Sequence, residues 1–178
     1  MKNSHKLINI VTASLLAALC CVGTLVLQIP TPTGGFVNLG DTVILLSAFL
    51  LSPVYAALSA GVGSLLADIL AGYPQYALAT FVIKALMGLV ACLIFSATAK
   101  SAAKKKYLTP VYCVLAGVCA EAIMIAGYFV FEAIILSYGL GAVASVVPNT
   151  IQAAAGILGG TILCTIIGRT KIKNKLNP

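Results

Sequence analysis

The feature that most constrains this chain is a succession of apolar runs, several of them about 20 residues long, that fill nearly the whole sequence. About 20 residues of helix span the hydrocarbon core of a bilayer. A chain built from such runs has too little polar surface to cover a soluble core. The composition agrees: 61% of the 178 residues are hydrophobic, 8% are charged and the mean hydropathy is +1.09. These values exclude an ordinary soluble domain and imply an all-α integral membrane protein, read here as one domain over residues 1–178.

Six spanning helices are expected, near residues 6–28, 41–51, 53–70, 76–99, 109–136 and 142–168. The second is short, and only Ser52-Pro53 separates it from the third. The two form either one broken element or two short helices joined tightly. The N-terminal run continues to Gln28 without a small-x-small cleavage site, so it reads as a helix rather than a signal peptide. The net charge of +7 would suit nucleic acid on a folded polar surface. Here the basic residues instead flank apolar runs: Lys2 and Lys6, then Lys100, Lys104, Lys105 and Lys106, then Arg169, Lys171, Lys173 and Lys175. Lys and Arg collect on the cytoplasmic side of membrane helices. Even numbers of spans separate the three clusters, so a six-transmembrane-helix bundle with both termini cytoplasmic satisfies both the count and the charge rule. The expected surrounding is lipid, not nucleic acid. All six cysteines fall in apolar segments without metal-ligand spacing and read as small buried hydrophobes.

The charges inside the runs carry the functional information. All four acids, Asp41, Asp68, Glu121 and Glu132, lie inside or at the lip of apolar runs, and Lys84 is the one basic residue of the eleven that does. An ionisable side chain in a bilayer is costly and marks a site or a buried partner. Depth counted along the helices places these groups in the outer half or middle of the bundle, with Asp41 at the outer lip of the second helix. Glu121 and Glu132 are 11 residues apart, about three turns, and Tyr128 lies on the same face. That stripe is either a binding wall for a polar, aromatic-sized ligand or a pair of structural acids bonded to neighbouring helices. Lys84 needs a counter-charge, for which Asp41, Asp68 and Glu121 are candidates. Asn149 and Gln152 share a face of the sixth helix just after Pro148, and their amides both donate and accept. The external loop at 29–40 is rich in Pro and Gly and is long for a connector. Its Phe36 and Asn38 are placed to cap a pocket, and the turn from Gly72 to Tyr76 to add aromatic walls. Ala13 and Ala17 form a small-x3-small face on the first helix, with Ser14 and Ala18 a parallel row. No phosphate-binding glycine loop, HExxH or GxSxG motif is present, so no enzyme, cofactor or metal site is expected. Any energised function then needs a partner or an ion gradient.

Four ordered segments carry a family likeness. They are Gly34-Gly35-Phe36-Val37-Asn38-Leu39-Gly40-Asp41, Ser52-Pro53 with Ala56, Gly63-Ser64-Leu65-Leu66-Ala67-Asp68-Ile69-Leu70-Ala71-Gly72-Tyr73-Pro74, and Thr80-Phe81-Val82-Ile83-Lys84-Ala85-Leu86-Met87-Gly88. Together they resemble the substrate-binding S components of energy-coupling factor (ECF) transporters. The likeness is closest to the branch associated with hydroxymethylpyrimidine, pyridoxine and related vitamins, near the riboflavin S components. It implies a multi-pass protein of a prokaryotic plasma membrane that captures a vitamin from outside and docks on a membrane T component bound to two ABC-type ATPases. Docking would use the small face at Ala13 and Ala17. The pocket would be lined by the first external loop and helices four to six, which maps onto Asn38, Lys84, Glu121, Tyr128, Glu132, Asn149 and Gln152. Gly40, Asp41, Asp68 and Gly72 belong to the shared motifs and would hold the scaffold. The competing readings are a riboflavin-specific S component and an ion-coupled secondary transporter with Glu121 or Glu132 as proton site. The two halves show no inverted repeat, which counts against the latter.

Overall fold

In a computed structural model the described residues are 2–170, and they are almost entirely helical. The basic residues Lys171, Lys173 and Lys175 lie outside the described residues. Six α-helices follow in order: α1 (Lys2–Val26), α2 (Gly40–Leu50), α3 (Pro53–Leu70), α4 (Pro74–Lys104), α5 (Thr109–Val130) and α6 (Val146–Gly168). Helix α5 continues into a π-helical segment, Phe131–Ile135, and a 3-10 segment, Gly139–Ser145, leads into α6. The sixth helix therefore begins at Val146 rather than near residue 142, with Pro148 in its first turn, where a missing N–H costs nothing.

Among the described residues five helical stretches are long and apolar enough to cross a membrane; α2 is not, at 11 residues. At about 1.5 Å per residue α2 covers roughly 16 Å, about half the hydrocarbon core. Its position explains how so short an apolar helix is stable. Every residue of α2 except Thr42 is buried, and it is packed against all five other α-helices. A helix that is apolar all round belongs in a core. Helix α6 approaches α2 closely because Gly156, Gly159 and Gly160 face it; a Cβ at Gly160 would stand 2.8 Å from that of Leu45. The chain then reverses at Leu51-Ser52, and Pro53 opens α3.

Residues 27–39 do not form a plain loop. Ile29–Pro30 and Phe36–Val37 pair as a two-residue antiparallel hairpin, β1 and β2, with Ile29 opposite Val37 and Pro30 opposite Phe36. Its turn is closed by the Thr31 N–H donating to Gly35 O at 2.9 Å, with Gly34 in the left-handed region at φ +84°. After the hairpin the chain descends. Gly40 lies beside Cys20 and Thr24 of α1, so α2 starts below the end of α1. Helix α3 ends in a Schellman-type closure: Gly72 at φ +84°, its N–H on Ile69 O at 3.2 Å, and Tyr73 N–H on Asp68 O at 2.8 Å. Only a residue free to adopt positive φ fits there without strain.

These connections gather the end of α1, the start of α2, the end of α3, the start of α4, the π segment and the start of α6 at one end of the bundle. The opposite end collects the aromatic pair Phe49 and Phe95, 5.3 Å apart, and the contact of Gly168 with Phe49 and Thr109. The last turn of α4, which runs to Lys104 rather than ending near residue 99, the 3-10 segment Lys106–Leu108 and Arg169 belong to that second end.

Candidate functional site

The buried polar side chains at the hairpin end form several short hydrogen-bonded groups. The N-terminus of α2 is the base. Asn38 turns its side-chain Oδ1 back onto the Gly40 N–H at 2.9 Å, an Asx-type turn that leads the chain into the helix. Asp41 then sits in the first turn of α2, where an anion is favoured by the free N–H groups of the helix. It is fully buried and forms an ion pair with Lys84 of α4. Its other oxygen, Oδ2, accepts from Gln152 Nε2 of α6 at 2.6 Å, and Gln152 Oε1 accepts the Asn38 N–H at 2.8 Å. Asp41 is thus the counter-charge of Lys84, and it lies submerged under the hairpin rather than at an outer lip.

Above this base is a cleft. The hairpin contributes Thr31, Gly35, Phe36 and Asn38; the α3–α4 corner contributes Asp68, Tyr73, Tyr76 and Thr80; Tyr128, Glu132, Asn149 and Gln152 close the other side. Glu132 stands in the π segment, a local widening of the helix that recurs at functional sites. Its Oε1 accepts from the Thr33 hydroxyl at 3.0 Å and the Tyr76 hydroxyl at 3.2 Å, and Tyr76 also reaches Thr33 O at 2.9 Å. The Tyr128 hydroxyl bonds with Thr80 at 3.0 Å, and the Asp68 carboxylate lies beside the same Thr80 hydroxyl. Phe36 and Tyr73 pack at a tilt of 54° with centroids 5.0 Å apart, which ties the hairpin to the α3–α4 corner. The enclosed space is small, about 30 Å³, room for about two waters.

Five of the seven residues expected to meet ligand line this cleft: Asn38, Tyr128, Glu132, Asn149 and Gln152. Lys84 and Glu121 lie behind it. Lys84 is held by Asp41, with Met124 Sδ at 3.3 Å and the Tyr128 ring centroid at 5.7 Å. Glu121 is buried against Gly156 and Asp41, and neither of its oxygens has a hydrogen-bond partner among the described residues. Glu121 and Glu132 therefore share a helix face without sharing a compartment. Asp68, expected to serve the scaffold, lines the cleft, and its neighbour Gly72 closes α3. Thr33, in the hairpin turn, and Thr80, in the apolar run of α4, are site residues that sequence reasoning missed, because a threonine hydroxyl gives no signal in sequence of the partner it meets. On α1, Ala13 is buried and Gly63 of α3 lies against the Ala17 backbone. That pair faces α3, while Ser14 and Ala18 are exposed on the outer side.

An apolar bundle of membrane-crossing helices with a polar, aromatic-lined cleft at one end has the architecture of a membrane transport protein that binds a small molecule. The family model for the S component of ECF-type riboflavin transporters matches residues 4–169, and the chain belongs to that family. It is a transporter family rather than an enzyme family, and the chain is accordingly a membrane-embedded substrate-binding subunit of an ECF importer. S components of this kind bind a small vitamin and interact with a T component and ATPases. The chain is also 34% identical over 140 residues to a Pyrococcus woesei protein described as "Uncharacterized protein in gap 3'region", a match that covers 78% of this chain and 87% of that one.

Proposed function

We propose that this S component spans the plasma membrane of a prokaryote six times, with both termini and the α4–α5 connection, including residues 100–106, in the cytoplasm. Helix α2, too short to cross alone, completes the remaining passage together with the chain that descends to it from the hairpin, and its neighbours shield it from lipid. The hairpin end then faces outward. There the protein captures a vitamin or vitamin precursor and delivers it by docking on a T component carrying two ABC-type ATPases. The motif likeness favours hydroxymethylpyrimidine or pyridoxine, and the description of the matching family favours riboflavin.

The observation that carries this reading is the polar, aromatic-walled cleft roofed by the hairpin at one end of the bundle. Asn38, Tyr128, Glu132, Asn149 and Gln152 contact the ligand, joined by Asp68, Phe36 and Tyr76. Lys84 and Glu121 support the cleft from below. Small-ligand pockets occupy about 300–1,000 Å³, far more than the space enclosed here, so entry requires the hairpin to lift away from Glu132 and Gln152. The exposed side of α1, around Ser14 and Ala18 and adjoining Ala13 and Ala17, is the face offered to the T component.

Uptake into cells or vesicles, measured with and without the ATPase partners, tests the assignment. Uptake should require them. Full-rate uptake by this chain alone, driven by a proton gradient, would instead establish a secondary transporter. Mass spectrometry of the small molecule that co-purifies with the protein identifies the vitamin.

A further inference from the structure

Glu121 is a buried acid that the cleft does not use. It is 2% exposed, and neither of its oxygens has a hydrogen-bond partner among the described residues. Asp68 and Glu132 each leave only one oxygen over. Glu121 stands on α5 one turn before Met124, whose Sδ lies 3.3 Å from Lys84 Nζ and 3.2 Å from Gln152 Nε2. On α6 it meets Gly156, one turn beyond Gln152. A Cβ at Gly156 would stand 2.7 Å from Glu121 Oε1 and 2.9 Å from Asp41 Cβ, so the two acids are close neighbours around one glycine. The charged groups that face Glu121 are Asp41 from α2 and Lys84 from α4. The α6 residues at this level, Gly156 and Gln152, carry no charge.

Two acids therefore share this layer with one cation. Were all three ionised, the layer would hold an uncompensated negative charge away from water, which is expensive. One proton restores neutrality, as it does where two carboxylates share a site. The surroundings decide which acid holds it. Asp41 has the ion pair with Lys84, the hydrogen bond from Gln152 Nε2 at 2.6 Å and the first turn of α2, and each of these stabilises a negative charge. Glu121 has no donor on either oxygen.

We infer that Glu121 is a proton-binding site, which carries a resident proton at neutral pH and acts as a positioning residue for the floor of the cleft. With the proton in place Lys84 has a single charged partner, Asp41. Asp41 holds Gln152, and Gln152 Oε1 holds the Asn38 N–H at the foot of the hairpin at 2.8 Å. Without the proton, Glu121 would compete with Asp41 for Lys84, whose ammonium already touches α5 at Met124. The contacts that fix the hairpin would then loosen at their base. This site is separate from the cleft and independent of which vitamin the cleft takes.

The test is infrared spectroscopy of the purified full chain. The chain has two glutamates, Glu121 and Glu132, so glutamate labelled with carbon-13 at the side-chain carboxyl reports on those two groups alone. A protonated acid is told from a carboxylate by its carbonyl stretch, and the label shift tells glutamate from aspartate. At neutral pH the labelled acid band should be present and should persist in Glu132→Gln. The difference between the parent and Glu121→Gln should contain the same band, so either variant decides alone should the other fail to fold. As the pH is raised, the band should give way to carboxylate, and the melting temperature of the parent should fall with it by more than that of Glu121→Gln. Carboxylate bands alone at neutral pH, or an acid band lost in Glu132→Gln and untouched by Glu121→Gln, would overturn the proton site. Melting temperatures that fall equally in parent and Glu121→Gln would overturn the positioning role.

Discussion

Replacing Lys84 by Met should be among the most damaging single changes in this protein, and a second change should repair it. Lys84 is 2% exposed and Asp41 0% exposed, and each is the other's counter-charge. Met keeps the length of the side chain and removes the charge. Asp41 would then be a buried carboxylate held only by Gln152 Nε2 and the N-terminal turn of α2. Removing one partner of a buried pair costs about 3–5 kcal/mol, whereas removing both charges together is often close to neutral. Lys84→Met alone should therefore lower the apparent melting temperature in detergent by roughly 6–20 °C, at about 2–4 °C per kcal/mol for a chain of this size. Adding Asp41→Asn keeps an acceptor for Gln152 and should bring the protein back to within about 1–2 kcal/mol of the parent. Because neither residue lines the cleft, the double variant should bind ligand within about threefold of the parent, a shift under 1 kcal/mol. A double variant as unstable as Lys84→Met would refute the ion-pair argument. One that is stable but no longer binds would put Lys84 in contact with ligand.

Three further outcomes follow from the same geometry. Glu132→Ala removes the acceptor of both Thr33 and Tyr76 and should weaken ligand binding at least tenfold, about 1.4 kcal/mol, in an equilibrium titration; an unchanged dissociation constant removes it from the site. Ser14→Trp or Ala18→Trp, on the exposed side of α1, should leave binding by the isolated chain intact while blocking ATPase-dependent uptake; Ala17→Trp, which faces α3, should instead lower the melting temperature. Gly88→Val should cost about 1–3 kcal/mol, read as a melting shift, because a Cβ there would stand 2.8 Å from the Ala56 carbonyl oxygen and force α3 from α4.

Much of this architecture was legible before any coordinate, and the particular residues show why. The long runs behind α1, α3, α4, α5 and α6 could only be membrane-capable helices, since backbone groups in lipid must be satisfied within the segment. Pro53 opens α3, as local backbone chemistry dictates, whereas α4 starts at Pro74, two residues before the expected 76. The charge pattern singled out Lys84 and the four acids, because an ionisable group in an apolar run has few explanations. The face shared by Glu121, Tyr128 and Glu132 followed from the helical period alone.

Which of those charges meet one another required the tertiary structure. Asp41, Asp68 and Glu121 were equal candidates for Lys84, and the packing of α2 against α4 and α6 chose Asp41. Glu121 lies against Gly156 of α6 while Glu132 lines the cleft, and periodicity along one helix says nothing about its neighbours. Asp68 moved from scaffold to cleft wall, and Thr33 and Thr80 joined the site, through contacts between segments far apart in the chain. The hairpin over residues 29–37 was invisible for the same reason, since strands of two residues have no period to read. Sequence by itself determined the solvent this chain lives in, the helices that solvent demands and the residues too costly to be there without a purpose. Only the tertiary structure decided their partners, because burial cost is a property of one side chain and its relief is a property of two.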